Sequence, residues 1–127
     1  MGGEIKSYRD LIAWQKTFSL GIAVYRLTKQ LPEAERFGLI SQLRRGAVSI
    51  ASNIAEGYGR QSTNDYVRFL RVARGCLYEL DTQLLFAIEL GYVEAAECAL
   101  LQEQVNECGR ILAGLIRSLE HGRQDPH

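Results

Sequence analysis

At 127 residues and 14.3 kDa the chain has the size of one domain with room for a buried core. An apolar share of 46% against 24% charged residues excludes disorder over most of its length, no run approaches the roughly 18 apolar residues that span a bilayer, and MGGEIKSYRD has no apolar signal core, so a cytoplasmic protein is expected. The zero net charge hides a polarity: residues 1–74 carry twelve Lys/Arg against six Asp/Glu, and residues 75–127 three against nine.

Ser7, with Asp10 three residues on, has capping-box spacing and opens a first helix that runs to Leu31 and stops at Pro32. Two apolar rows lie along it. Leu11, Trp14, Phe18, Ile22 and Tyr25 form one, and Leu20, Val24, Leu27 and Leu31 the other, so one row serves the core and the other something else. After PEAERFG, the alternation Ile40, Leu43, Ala47, Ile50, Ile54 predicts a second helix that ends at Gly57 in a left-handed cap. Ser62 and Asp65 start a third, which Tyr66, Leu70, Ala73, Leu77, Leu80, Leu84 and Ala87 carry to Gly91. Beyond a short turn at Tyr92 and Val93, a near-heptad seam of Cys98, Leu101, Val105, Cys108, Leu112, Leu115 and Leu119 predicts the fourth.

Residues 1–6 read as a disordered N-terminus, 7–120 as the folded domain and 121–127 as a flexible tail. Long amphipathic helices joined by short loops run antiparallel to their sequence neighbours. The expected fold is therefore all-α, an up-down-up-down four-helix bundle.

Nothing in this pattern predicts catalysis. His121 and His127 lie in the tail, so no Glu-x-x-His pair faces a bundle core, and GYGR lacks the Lys-Ser/Thr ending and preceding strand of a phosphate loop. A nucleophile would have no histidine beside it. The expectation is a non-enzyme with no cofactor, no metal and no evident small-molecule substrate. Cys76, Cys98 and Cys108 are odd in number and widely spaced, and read as reduced thiols packed as small hydrophobes.

Two polar features remain. Gln42, Arg45, Ser49, Ser52 and Glu56 step by three and four along the second helix, with Asn53 beside them. Either the serines are small residues that let another helix approach while Asn53 bonds local backbone, or Gln42, Arg45, Ser49, Asn53 and Glu56 form a polar stripe at a subunit contact. Arg44, Arg45, Arg60, Arg68, Arg71 and Arg74 are candidates for contact with RNA or DNA phosphates. A hairpin centred on Gly57 to Gln61 sets residues whose numbers sum to about 119 side by side, clustering Arg44, Arg45, Arg71 and Arg74. The competing reading pairs these cations with Glu94, Glu97, Glu103 and Glu107, or with Glu56 and Glu79.

The runs YRDLIAWQK (Tyr8 to Lys16), FGLISQLRRGAVSIASNIAEGYGR (Phe37 to Arg60) and YVRFLRVARGCLYELDTQL (Tyr66 to Leu84), with GYV at Gly91 to Val93, closely resemble the 23S ribosomal RNA intervening-sequence proteins, also called the four helix bundle protein family. The resemblance extends over residues 7 to 120. It implies a small bacterial homo-oligomer, with a ring of five subunits favoured. With the arginine cluster as contact surface, the expected role is binding or scaffolding RNA or a ribonucleoprotein. The alternatives are a protein-protein adaptor that touches no nucleic acid, or an accessory factor to a reverse transcriptase. The relative that serves a reverse transcriptase does so through a strongly basic surface, and this chain departs from it in being neutral.

Overall fold

A computed structural model describes residues 4–124. The readings of a disordered N-terminus and a flexible tail lie outside the described residues at 1–3 and 125–127. Four α-helices account for most of what is described: α1 (Ile12–Thr28), α2 (Leu39–Tyr58), α3 (Thr63–Glu89) and α4 (Ala95–Gln124), with no strand among the described residues. α4 continues five residues past Leu119, the last apolar residue of its predicted seam, so His121, read from the sequence as part of a tail, lies within the helix.

Ser7 caps as its spacing predicts, but caps less than a full helix. Its hydroxyl accepts from the Arg9 N–H at 3.1 Å and Asp10 Oδ2 accepts from the Ser7 N–H at 3.2 Å. The capped turn is a single 3-10 turn, Tyr8–Asp10, after which Leu11 is extended and α1 begins afresh at Ile12. At Ser62 the prediction holds in full, because its hydroxyl accepts from the Asp65 N–H at 3.1 Å and α3 follows without a break.

The glycines divide between turn and close packing. Gly57 is not the left-handed cap that the sequence suggests. It is buried within α2, and a Cβ there would stand 2.8 Å from Phe69 Cβ, so the missing side chain lets α3 pack against the end of α2. The left-handed residue is Gly91, with φ of 78°. Tyr92 N–H bonds to Ala87 O and Gly91 N–H to Ile88 O, both at 3.0 Å, the double closure of a Schellman turn that ends α3.

Around the bundle α1 packs on α2 and α4, and α3 packs on α2 and α4, while the diagonal pairs do not approach. Each neighbouring pair is antiparallel: Arg44 meets Thr28, Gln42 meets Gln83, Arg71 meets Glu120, and Lys16 meets Glu107. The centre is aliphatic, with Leu20, Leu43, Ile50, Ile54, Leu77, Leu80, Leu84 and Leu112 at 0–1% exposure. Burying each such side chain is worth about 1.5–3 kcal/mol, which outweighs the modest helix propensity of the Ile and Val positions. At the α1–α2 crossing a Cβ on Gly21 would lie 2.7 Å from the Ala47 carbonyl oxygen, so these two helices meet almost backbone to backbone.

Candidate interaction surfaces

The two rows of α1 separate as their duplication suggests. Leu20, Val24, Leu27 and Leu31 point into the core. Phe18, Ile22 and Tyr25 do not, and with Val48 of α2 they are 40–53% exposed. Trp14 stacks on Phe18 at 4.8 Å and edges onto Tyr8 at 5.3 Å, forming one aromatic wall. The facing wall is low, since Ala47, Ala51 and Ala55 recur every four residues on α2. Between them lies an apolar groove of about 290 Å³. Its rim is basic: Arg9 sits over Tyr8 at 5.7 Å and Arg44 over Tyr25 at 5.0 Å, with Arg44 Nε donating to the buried Thr28 hydroxyl at 2.8 Å. Sequence reasoning found the aromatic row but missed the alanine wall, whose four-residue repeat was the available signal.

The polar row of α2 runs along its α3-facing flank and outer face. Gln83 Nε2 donates to Gln42 Oε1 at 3.1 Å, Ser49 Oγ meets Cys76 Sγ at 3.3 Å, and Arg60 donates to Glu56 at 3.0 Å. Asn53 Nδ2 donates to the Ser49 carbonyl at 2.8 Å and to its hydroxyl at 3.2 Å. Within a single chain, then, every member of the proposed stripe except Arg45 has a partner. Gln42 with Gln83 and Ser49 with Cys76 both sum to 125, six more than the symmetric hairpin would give. The reason is Gly57: α3 overhangs the end of α2 by about a turn and seats Phe69 on that glycine. The shift breaks up the expected arginine cluster, since Arg45 lies level with Leu80 and no longer beside Arg74.

A model of the 23S rRNA-intervening sequence protein family matches residues 9–114. The chain belongs to this family. A solved structure of an S23 ribosomal protein family member of unknown function, from Bacteroides thetaiotaomicron VPI-5482, superposes with a TM-score of 0.78 over 84% of this chain and 99% of that one. At 23% identity the likeness is one of fold. No curated protein matches the chain.

In this 23S rRNA-intervening sequence protein the six candidate arginines face different neighbours. Arg44 turns to α1. Arg60 and Arg68 lie over the same ring, Phe69, at 4.6 and 4.8 Å, and are paired with Glu56 and Asp65. Arg71 is bonded to Glu120 of α4. Arg45 and Arg74 have no acidic partner within 4 Å among the described residues. Of the acids expected to absorb these cations, Glu107 takes Lys16 and Glu97 accepts from Gln30.

The thiols are of two kinds. Burial raises the pKa of Cys98, and that of Cys108 to about 11, with the neighbouring acids Glu97 and Glu107 adding to it. Cys76 is half-buried at the α2–α3 groove. Among the described residues no three His, Cys, Asp or Glu side chains gather to hold a metal, and no helix is long and apolar enough to cross a membrane.

Proposed function

We propose that the protein is a non-catalytic scaffold that self-associates through the apolar groove between α1 and α2, and that the assembly binds RNA or a ribonucleoprotein. The observation that carries this reading is the aromatic wall of α1, a contiguous apolar surface that none of the described residues covers. A second copy is its natural occupant. α3 leaves Phe86 and Leu90 exposed beside Glu79 and Glu89, so the same bundle carries a second apolar face whose charges complement the basic rim at Arg9 and Arg44. Two unlike faces make a head-to-tail contact, which closes into a ring when the rotation permits. The family resemblance favours five subunits. The polar stripe of α2 finds most of its partners within the chain, so the subunit contact is assigned to the apolar groove beside it.

Nucleic-acid contact is supported by Arg45 and Arg74, whose guanidiniums have no acidic partner within 4 Å among the described residues. The adaptor reading uses the same apolar faces for a different protein and needs no cation.

Light scattering on the purified chain tests self-association. A mass of several chains is expected, falling to one chain in the double variant Phe18→Asp, Ile22→Asp while its helical circular dichroism is retained. A monomeric wild type, or a variant of unchanged mass, overturns the reading.

A further inference from the structure

At the corner where the chain enters α2, Phe37 is 84% exposed, the most open large apolar side chain among the described residues. It adds nothing to the core, and water gains nothing from it. Its neighbour covers one face of the ring: the Arg36 guanidinium lies 4.6 Å from the ring centroid and pairs with Glu33 at 3.1 Å. At that exposure the other face is open.

Phe37 borders an open depression of about 650 Å³ that runs along α2 to Tyr25 of α1, and three arginines and no acid line it. Arg44 is half-buried and held in place, because its Nε donates to Thr28 Oγ1 at 2.8 Å and its guanidinium lies 5.0 Å from the Tyr25 ring centroid. Arg45 follows it, and neither cation has an acidic partner within 4 Å among the described residues. Ser41, one turn before Arg45, adds a hydroxyl.

A cation already fixed and partly desolvated loses little freedom on pairing with an anion. The bare ring beside it needs a flat apolar partner. An aliphatic surface would cover the ring and leave the arginines without anions. A duplex would satisfy the arginines, but its bases are stacked inside it, out of reach of Phe37. An acidic peptide supplies charge without a succession of flat faces. An unpaired nucleotide carries both a base face and a phosphate.

We infer that this depression holds an unpaired RNA segment, one base stacking on the open face of Phe37 and the adjoining phosphates pairing with Arg44 and Arg45. This rests on the RNA reading proposed above and names the form of RNA that the site takes. Phe37, Ser41 and Arg45 lie outside the lining of the apolar α1–α2 groove, so a second copy seated in that groove does not use them.

Fluorescence anisotropy on the purified full chain tests it, with an unstructured RNA of about twelve nucleotides and the duplex formed with its complement as probes. The single strand should bind more tightly. In Phe37→Ala its affinity should fall about tenfold, the loss of one base–aromatic stack, with duplex affinity unchanged, and Phe37→Trp should restore it. Arg45→Gln should weaken both RNAs and lower the salt slope by about one. Phe37 and Arg45 are both exposed, so folding is not at stake, and light scattering on the same samples reports self-association. Single-strand affinity unchanged in Phe37→Ala, or an equal loss for strand and duplex, overturns the inference while RNA binding stands. An assembly that dissociates in Phe37→Ala assigns the ring to a second copy and also overturns it. Binding of neither RNA at low salt overturns the RNA reading itself, and this inference with it.

Discussion

Glu35 and Tyr92, fifty-seven residues apart, tie the α1–α2 connection to the α3–α4 corner: the Tyr92 hydroxyl donates to Glu35 Oε2 at 2.8 Å. The other carboxylate oxygen accepts from the Leu39 N–H at 2.9 Å. α2 starts at Gly38, which has no side chain to cap it, and Glu35 from the preceding turn does this work. The negative charge also suits the positive end of the helix dipole.

This carboxylate gives the first prediction. The bond from Leu39, and after it the bond from Tyr92, hold the Glu35 pKa below its ordinary value. A depressed carboxylate pKa contributes stability that is complete above the unfolded value, about 4.3, and is lost as pH falls through the folded one. The Tyr92 pKa is raised, chiefly by its bond to Glu35, so its contribution is complete below about 10 and fades at higher pH. Glu35→Gln should therefore melt below wild type at neutral pH, with the gap narrowing under acid conditions. A gap that does not change with pH would show that the charge has no role.

Two helical glycines should respond oppositely to alanine. In Gly57→Ala the new methyl meets Phe69 Cβ at 2.8 Å and the Tyr66 carbonyl at 3.2 Å, and such overpacking costs about 1–3 kcal/mol. Gly75 on α3 is exposed with nothing within 4 Å, so Gly75→Ala should stabilise by about 0.5–1 kcal/mol through helix propensity. Urea denaturation of both variants checks the pair, and equal signs would contradict the packing assigned to Gly57.

Thiol labelling separates the cysteines. In the native protein at mildly alkaline pH, Cys76 should react with a soluble disulfide reagent. Cys98 and Cys108, both buried and raised in pKa, should react only after unfolding. Rapid labelling of all three in the folded chain would mean that α4 opens far more readily than its packing implies.

Salt dependence tests the arginines. If Arg45 and Arg74 contact phosphates, affinity for structured RNA falls steeply with salt, and changing both to Gln lowers the salt slope by about two. Arg71→Gln should leave the slope nearly unchanged, because that side chain is already bonded to Glu120, and the lost surface pair should cost no more than about 1 kcal/mol. Absence of RNA binding at low salt would favour the protein-adaptor reading.

Much of the bundle was legible from periodicity and punctuation. The seams of α2, α3 and α4 were readable because a 3.6-residue repeat repeats its own instruction over about four turns or more, and Ser62 and Gly91 mark ends whose hydrogen bonds are local. Gly57 misled for the opposite reason. A glycine near a helix end suits a left-handed cap and a close helix contact equally well, and only Phe69, twelve residues on, decides between them. The hairpin register followed from that same contact, which is why the cluster expected of Arg44, Arg45, Arg71 and Arg74 was not legible.

By itself the sequence determined four amphipathic helices, their antiparallel order, and a core of leucine and isoleucine. These depend on short-range pattern, which the chain carries wherever it is cut. Only the tertiary structure decided that the aliphatic row of α1 is core while Phe18, Ile22 and Tyr25 line an open groove. It alone set Gln42 against Gln83 and Ser49 against Cys76, and so parted Arg45 from Arg74. Each of these depends on how far one helix slides along and rotates against its neighbour, a quantity set by side chains far apart in the chain that meet only once the bundle has formed.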